Sequence, residues 1–347
     1  MAAAGARALA APAVLAACAG GRLDGADGPQ GWRGHGPRGP GQPTFSLDSA
    51  ARCVSKAGPR RLHGPIRHDC GDDAFFMAQP TEATATVGIA DGVSSWSRMG
   101  IDPALFAWEL MRHCELLAEG VGMSRPRDVM SRGYWNMVRS GSAPSGSSTA
   151  CVASLDRPGG RLTVANLGDS GVLLLRGGGA RVVLQTQEQQ HYFNCPYQLM
   201  FVQPNDQAGQ ARGDDPESSA EYSAQAEDGD LLVMATDGFF DNVFQENALK
   251  VIAGMCETKP GEIAEALVRL AHSRSQLQEH TPFSVSAQRH GVRPMPGRGV
   301  QPGALGAAAS EEAVCELHDV VRGGFVRVFA GVFPRLQFSL CVAAVGR

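Results

Sequence analysis

The sequence has little that would tie it to a nucleic acid, a membrane span or a thiolate metal site. Its 347 residues carry 31 Lys and Arg against 35 Asp and Glu, a formal charge of -4. With no basic excess and no basic stripe, the footprint of a phosphate-backbone binder is missing. Nine cysteines are scattered and odd in number, with no Cys-x-x-Cys pair. That spacing argues against a zinc site and against a disulfide framework, so reduced thiols in an intracellular compartment are expected. No run is both long enough and free enough of charge to read as a membrane span. Ser147 and Ser148 lack a Gly-x-Ser-x-Gly frame, which argues against a serine hydrolase. Gly177-Gly178-Gly179 lacks the Gly-Lys-Ser/Thr ending of a phosphate-binding loop and reads as a turn. No internal repeat is present.

Hydrophobic residues make up 43% of the chain, enough for a sizeable core in one large or two small domains. The first 22 residues hold Arg7 and Arg22, many alanines and no acid. Such a leader resembles an organelle transit peptide, and import into mitochondria, the matrix in particular, is the expectation. Its short apolar core, Leu9 to Ala19, leaves a secretory signal or membrane anchor as the alternative. From Gly20 to Pro43 glycine, proline and arginine dominate and imply a linker. Three divisions follow: a leader and linker at 1–44, a folded domain at 45–275, and a divergent tail of uncertain fold at 276–347.

Within the middle division, Ala74 to Ala78 and Ala83 to Ala90 read as paired strands. Asp102 is a good N-cap with Pro103 at the first helical position, and Leu105, Trp108, Leu110, Met111 and Leu117 supply an apolar face ending near Gly120. A second helix is expected over Arg127 to Arg139, with Val129, Met130, Trp135 and Val138 facing inward. Strands resume at Ser148 to Leu155, Leu162 to Leu167, Gly171 to Arg176 and Arg181 to Gln185, the last two joined by the triple glycine. Gln187 to Asp215 is polar and reads as a long functional loop or flap. A strand at Ala226 to Thr236 precedes helices at Asn242 to Met255 and Gly261 to Arg274. In the tail, Leu336 to Val345 has the makings of one more strand. The pattern is a mixed α+β domain.

Three apolar runs end on an aspartate beside a glycine: Ile89-Ala90-Asp91-Gly92, Asn166-Leu167-Gly168-Asp169 and Ala235-Thr236-Asp237-Gly238. A fourth acidic cluster, Asp72-Asp73, precedes the first. Any one of these is explained by turn chemistry. Together they suggest carboxylates gathered at sheet ends, a donor set for hard divalent cations. Aspartate in place of histidine or cysteine favours magnesium or manganese over zinc. Two such cations can activate a hydroxide and neutralise a phosphoryl group, so phosphate ester hydrolysis is the expected reaction class.

These motifs carry a resemblance. Gly71-Asp72-Asp73-Ala74, Ala90-Asp91-Gly92, Gly146-Ser147-Ser148-Thr149-Ala150, Gly168-Asp169-Ser170-Gly171 and Thr236-Asp237-Gly238-Phe239-Phe240-Asp241 follow the order and approximate spacing of the metal-dependent (PPM or type 2C) protein phosphatases. The stretch Gln189-Gln190-His191-Tyr192-Phe193-Asn194 resembles that family's mitochondrial branch, which includes the T-cell activation phosphatases. The resemblance covers about residues 60 to 275. It implies a four-layer α/β/β/α sandwich of two antiparallel sheets flanked by helix pairs. It also implies two Mg2+ or Mn2+ ions and hydrolysis of phosphoserine and phosphothreonine in proteins by a metal-activated hydroxide. By resemblance Asp91 bridges both ions, the Gly92 carbonyl contributes to one, Asp237 binds the other, Asp72 acts through water, Asp169 supports a weaker ion, and Asp73 lies behind them. A monomer with phosphoproteins as its partners is expected, and no nucleic acid.

Three departures stand out. Many relatives place a histidine after the bridging Asp-Gly; here it is Val93. An arginine near the first acidic motif grips substrate phosphate in relatives, and Arg67 and His68 are the candidates by proximity; a solvated loop position explains both as well. His191 is a further candidate for phosphate, with loop anchoring as its alternative. Last, relatives end on a glycine-rich turn with a metal-binding aspartate, and nothing after Ser275 reproduces it; Asp319 is the sole aspartate there. A lost ligand weakens cation affinity. The alternative function is therefore a catalytically impaired variant that binds phosphoprotein partners.

Overall fold

The apolar runs pair into two antiparallel five-stranded sheets. The computed structural model describes residues 44–55, 62–78, 83–120, 125–204, 206, 213–255, 258–277, 280–291 and 338–346. The expected leader and linker lie outside the described residues, except for Thr44. In chain order the elements are β1 (Ser46–Val54), β2 (Asp73–Ala78), β3 (Thr84–Asp91), α1 (Pro103–Gly120), α2 (Pro126–Arg139), β4 (Gly146–Ser148), β5 (Ala150–Asp156), β6 (Arg161–Leu167), β7 (Gly171–Arg176) and β8 (Arg181–Gln185). Then come β9 (Gln190–Tyr192), β10 (Cys195–Pro196), β11 (Leu199–Phe201), β12 (Ala220–Gln225), β13 (Leu231–Ala235), α3 (Asp237–Phe240), α4 (Gln245–Ala253), α5 (Pro260–Gln276), α6 (Pro282–Arg289) and β14 (Phe338–Gly346).

One sheet has the order β1-β14-β13-β7-β8 and the other β12-β6-β5-β3-β2. Side chains alternate between the faces of each strand, and that alternation builds three cores. Val87, Ile89, Leu155, Leu174, Leu232 and Cys341 meet between the sheets. Phe76 and Val152 pack outward on Trp108 of α1 and Met130 of α2. On the opposite side Leu173, Val233 and Val342 pack on Ile252 of α4 and on Ile263 and Leu267 of α5. The result is the α/β/β/α sandwich that the resemblance implies.

Local chemistry sets the helix ends. Asp102 Oδ1 accepts the Ala104 N–H at 3.1 Å, which satisfies one of the N–H groups a helix start leaves open. In α2 the buried positions include Val129, Met130, Tyr134 and Met137. Met130, Tyr134 and Met137 lie at helical spacing, so Trp135 falls off that face and is 42% exposed, against the expectation that it points inward. The Tyr134 hydroxyl instead reaches inward and donates to the Met200 carbonyl at 2.7 Å. The triple glycine joins β7 to β8 with all three residues at positive φ, backbone that glycine adopts without a Cβ clash.

Two further features differ from the sequence expectation. The stretch expected as an irregular flap contains a hairpin, β9 with β10, and β11 pairs antiparallel with β4. Cys53 and Cys70 are joined in a disulfide with Cα atoms 5.1 Å apart, and Cys195 is also disulfide-bonded. The expectation of reduced thiols is thus corrected at these positions: the end of β1 runs beside the loop before β2, a proximity invisible in spacing alone. Cys114, Cys151 and Cys341 are free and buried.

β14 lies between β1 and β13, paired antiparallel with both. Cys341, Ala343 and Val345 face the core between the sheets, while Leu340 and Val342 face the helices. Burying a Val or Leu side chain contributes about 1.5–3 kcal/mol, so this strand from the expected tail is part of the domain's core. Among the described residues no helix is long and apolar enough to cross a membrane.

Candidate active site

The antiparallel register of β2 and β3 sets Asp73, the first residue of one, opposite Asp91, the last of the other. The Asp91 backbone is clamped. Its carbonyl accepts the Thr149 N–H at 3.0 Å and the Ser148 hydroxyl at 2.8 Å, and its own N–H donates to Thr149 Oγ1 at 3.1 Å. The Gly92 N–H donates to the Asp72 carbonyl at 3.2 Å. A Cβ on Gly92 would sit 2.6 Å from that carbonyl and 2.7 Å from the Pro103 carbonyl. Only glycine lets these backbones approach so closely.

Asp237 starts α3 directly after β13, and the Asp241 N–H donates to the Asp237 carbonyl at 2.7 Å. Asp169 follows β6 through Gly168, whose φ of +106° lies in the region glycine favours. Thr236 Oγ1 donates to Asp73 Oδ2 at 3.1 Å and accepts the Ser339 N–H at 3.1 Å. The start of strand β14 is thereby tied to the carboxylate cluster.

The fold thus brings Asp91, Asp169 and Asp237 together, with Asp73 beside Asp91. Burial pushes the Asp91 carboxyl well above the usual carboxylate range, and the charges of Asp73 and Asp237, a hydrogen bond with the Asp237 side chain and the charge of Asp169 add to it. Asp169 is raised by burial and by Asp237 and Glu188. Asp241 is raised by burial and by Asp237, Asp169 and Glu188, and Glu188 by burial and Asp237. Buried like charges disfavour ionisation, and a nearby cation reverses that preference.

Asp241 and Glu188 were not singled out as site residues. Asp241 stands in the quoted Thr236 to Asp241 motif, one helical turn after Asp237, and that spacing was the available signal. Glu188 sits at the start of the polar flap and carried no signal of its own. Asp73, expected behind the site, lies opposite Asp91 and its charge acts on that carboxyl. The Asp72 carboxylate accepts the Ser94 hydroxyl at 2.6 Å.

Each phosphate candidate is engaged by a partner of its own. Arg67 pairs with Glu115 of α1. His68 stacks on Phe75 at 5.1 Å, with Trp108 at 5.8 Å. His191 pairs with Asp214 at 3.0 Å and stacks on Tyr197 at 4.3 Å, which anchors the β9–β10 hairpin. Val93, at the position where relatives have histidine, packs with Trp96, Ile101 and Met200.

The hydroxyls of Ser147 and Ser148, beside Asp91, are both engaged. Ser147 and Ser148 are fully buried; Ser147 Oγ accepts the Trp96 indole N–H at 2.7 Å, and the Ser148 hydroxyl is engaged with Asp91. The Cys151 thiol is pushed up by burial, and a buried thiol is inert. Attack by water suits this arrangement. The donor set is all oxygen and all carboxylate, which fits Mg2+ or Mn2+. Among the described residues no group of three or more His, Cys, Asp or Glu is placed to hold an ion as it stands. The charges of the cluster reach one another, and the Asp91 and Asp237 side chains are hydrogen-bonded. Within Val320 to Arg347, the stretch that includes β14, the sequence holds no Asp or Glu.

Comparison with known proteins agrees with this geometry. The family model described as protein phosphatase 2C matches residues 66–270. A protein phosphatase PTC7 homolog of Danio rerio is 37% identical over 236 residues, covering 66% of this chain and 77% of the relative. The Homo sapiens homolog is 38% identical over 222 residues, covering 63% of this chain and 67% of the relative. Among solved structures, the photosystem II phosphatase PBCP superposes with a TM-score of 0.60 at 26% identity, covering 86% of this chain and 98% of its own.

Proposed function

Because the chain belongs to the protein phosphatase 2C family, we propose that the cleft at Asp91 and Asp237 hydrolyses phosphoserine and phosphothreonine esters in proteins, with Mg2+ or Mn2+ as cofactor. The observation that carries this reading is the meeting of those two carboxylates, from distant strands, in a buried all-oxygen cluster. Asp91, the Gly92 carbonyl and Asp237 would hold the cations, Asp169 a weaker one, and Asp72 would act through water. When bound, the cations supply positive charge that lowers the pKa of water and offsets the charge of the phosphoryl group.

The chain's own residues set the rest. The clamp from Ser148 and Thr149 fixes Asp91, and Thr236 fixes Asp73. With Ser147 and Ser148 engaged, the phosphoryl group passes to water without a phospho-enzyme. Val93 cannot give a proton to the leaving alkoxide, so that proton comes from solvent or another acid. The chain acts as a monomer, and the acid-poor leader supports a mitochondrial location.

The test is turnover of a phosphothreonine peptide by the purified chain across a Mn2+ titration. Saturable, Mn2+-dependent release of phosphate supports the reading, and no release at any Mn2+ concentration defeats it. A second reading is favoured by the lack of any acid from Val320 onward, beside a strand that borders β13. On that reading the chain binds phosphoproteins and turns them over poorly. Calorimetry separates the two: stoichiometric Mn2+ binding with turnover supports the enzyme, and peptide binding without Mn2+ uptake supports the binder.

A further inference from the structure

Cys53, near the end of β1, is bonded to Cys70, two residues before Asp72, with Cα atoms 5.1 Å apart. β1 belongs to one sheet, and the Cys70 loop runs into β2 of the other, so the bond ties the sheets together. It does so at the level of the acids. Cys53 stands opposite Ser339 in the β1–β14 register. The Ser339 N–H donates to Thr236 Oγ1, and that hydroxyl donates to the Asp73 carboxylate. The Asp73 N–H donates to the Cys70 carbonyl at 3.4 Å. A ring thus closes through one covalent bridge and one hydroxyl, and Asp72 and Asp73 lie on it. The Asp72 carbonyl in turn accepts the Gly92 N–H, next to Asp91.

The bridge is open to attack from one side. β1 is an edge strand and Cys53 is only partly buried, while Cys70 is fully buried. An incoming thiolate therefore reaches the Cys53 sulfur, and access of this kind governs thiol–disulfide exchange. The free thiols of Cys114, Cys151 and Cys341 are buried, and none of them lies on the ring. The bonded cysteines are 17 residues apart in sequence. Opening the bridge returns conformational freedom to that segment, which leads directly into the acids.

We propose that the Cys53–Cys70 bond is a redox switch on the acidic site: a dithiol reductant opens it in the folded protein, the loop carrying Asp72 and Asp73 loosens, and the hold on cations weakens. One thiolate of the reductant attacks the Cys53 sulfur, and Cys70 leaves as a thiolate. The second thiol of the reductant then closes onto the first and releases Cys53. Two electrons and two protons pass from the dithiol to the cysteines, and the reductant ends as a disulfide. The cations come from the phosphatase reading, on which this part of the proposal rests; the loosening of the loop stands without them.

The test compares the full chain before and after treatment with dithiothreitol, at fixed pH and without denaturant. Alkylation and peptide mass spectrometry locate the freed thiols. Melting temperature in chelator, amide hydrogen exchange and Mn2+ affinity by calorimetry are read on the same samples. Cys53 and Cys70 should become alkylated together in the folded protein. The melting temperature should fall by about 5–15 °C, and exchange of the Gly92 and Asp73 amides should speed by about 10-fold or more. The Mn2+ dissociation constant should rise about 10-fold, as it does when a group that orients metal ligands is lost. Reoxidation should restore all three. Cys195 is bonded elsewhere, so Cys195→Ser should keep the response. Cys53→Ser should start at the reduced values and ignore dithiothreitol; should it not fold, the parent chain in its two states decides. A bond that yields only in denaturant overturns the proposal, as do Gly92 and Asp73 amides that exchange equally in both states, or a measurable Mn2+ affinity that is the same in both. Loosened amides in a chain that takes up no Mn2+ in either state uphold the switch and defeat the phosphatase reading instead.

Discussion

Thr236 Oγ1 donates to the Asp73 carboxylate at 3.1 Å. The same oxygen accepts the Ser339 N–H, and the Thr236 N–H donates back to the Ser339 carbonyl at 3.2 Å. One hydroxyl therefore links both sheets of the sandwich: Asp73 belongs to one, and Ser339 belongs to the other. It also couples the position of an acidic site residue to the seating of β14.

That link predicts opposite outcomes for two small substitutions. Thr236→Val conserves shape but leaves the buried Asp73 carboxylate and the Ser339 N–H without this partner, at a cost of about 1–3 kcal/mol. Ser339 Oγ is buried without a hydrogen-bond partner, so Ser339→Ala should be neutral or stabilising. Urea unfolding of the two variants checks the contrast. A Thr236→Val protein as stable as the parent would remove the hydroxyl from the account.

Asp91→Asn and Asp237→Asn should each lower turnover of a phosphothreonine peptide by at least about 100-fold, as loss of a central charged group in a site does. The far-ultraviolet circular dichroism spectrum should stay that of the parent, since each change keeps shape and relieves a buried like charge. Wild-type turnover in either variant would defeat the assignment of that carboxylate.

Stability should depend on pH and on cations together. Asp91, Asp169, Asp241 and Glu188 are all raised by burial and like charge. A carboxyl whose folded pKa exceeds its unfolded value of about 4 binds a proton more tightly when folded. Its contribution is therefore present at low pH and fades as pH rises through the folded value. In chelator, the melting temperature should fall as the pH rises above the ordinary carboxylate range of about 4. Mn2+ should restore it, most at the high end, because ions bind the ionised cluster. A melting temperature that rises with pH in chelator would contradict the buried-cluster electrostatics.

Gly92→Ala tests how closely the strands approach. Its Cβ would meet two backbone carbonyls below 3 Å, and neither can rotate away. Overpacking of this kind costs about 1–3 kcal/mol, and here the displaced group is the backbone next to Asp91. Both the unfolding midpoint and Mn2+ affinity should drop. If stability falls while Mn2+ affinity holds, the close approach serves packing alone.

Much of this was legible before any coordinates. The period-two apolar runs located most strands, and the Asp102-Pro103 start located α1 to the residue. The strand-end aspartates marked Asp91, Asp169 and Asp237 because each follows an apolar run, and chain order then carried the resemblance. Other parts depend on three-dimensional proximity. Glu188 gains its significance only when the flap folds back over Asp237. The Cys53–Cys70 pair depends on β1 lying beside the β2 loop. Trp135 was misplaced because an apolar residue one step off a helical stripe looks the same in a list of hydrophobic residues. Arg67 and His68 sit near the acidic motif in sequence, yet Glu115 and the ring of Phe75 engage them.

Strand β14 gives the sheet a peculiar order of assembly. Its neighbour β1 is the first of the described strands to leave the ribosome, and β14 is the last of them. Until then β1 has no antiparallel partner within its sheet and β13 has one open side. Such long-range pairing slows folding and prolongs exposure of unpaired edges. During synthesis, the half of the domain bearing α1, α2 and β2 through β6 can consolidate early, while the other half waits, vulnerable to chaperone capture or aggregation, for its keystone strand.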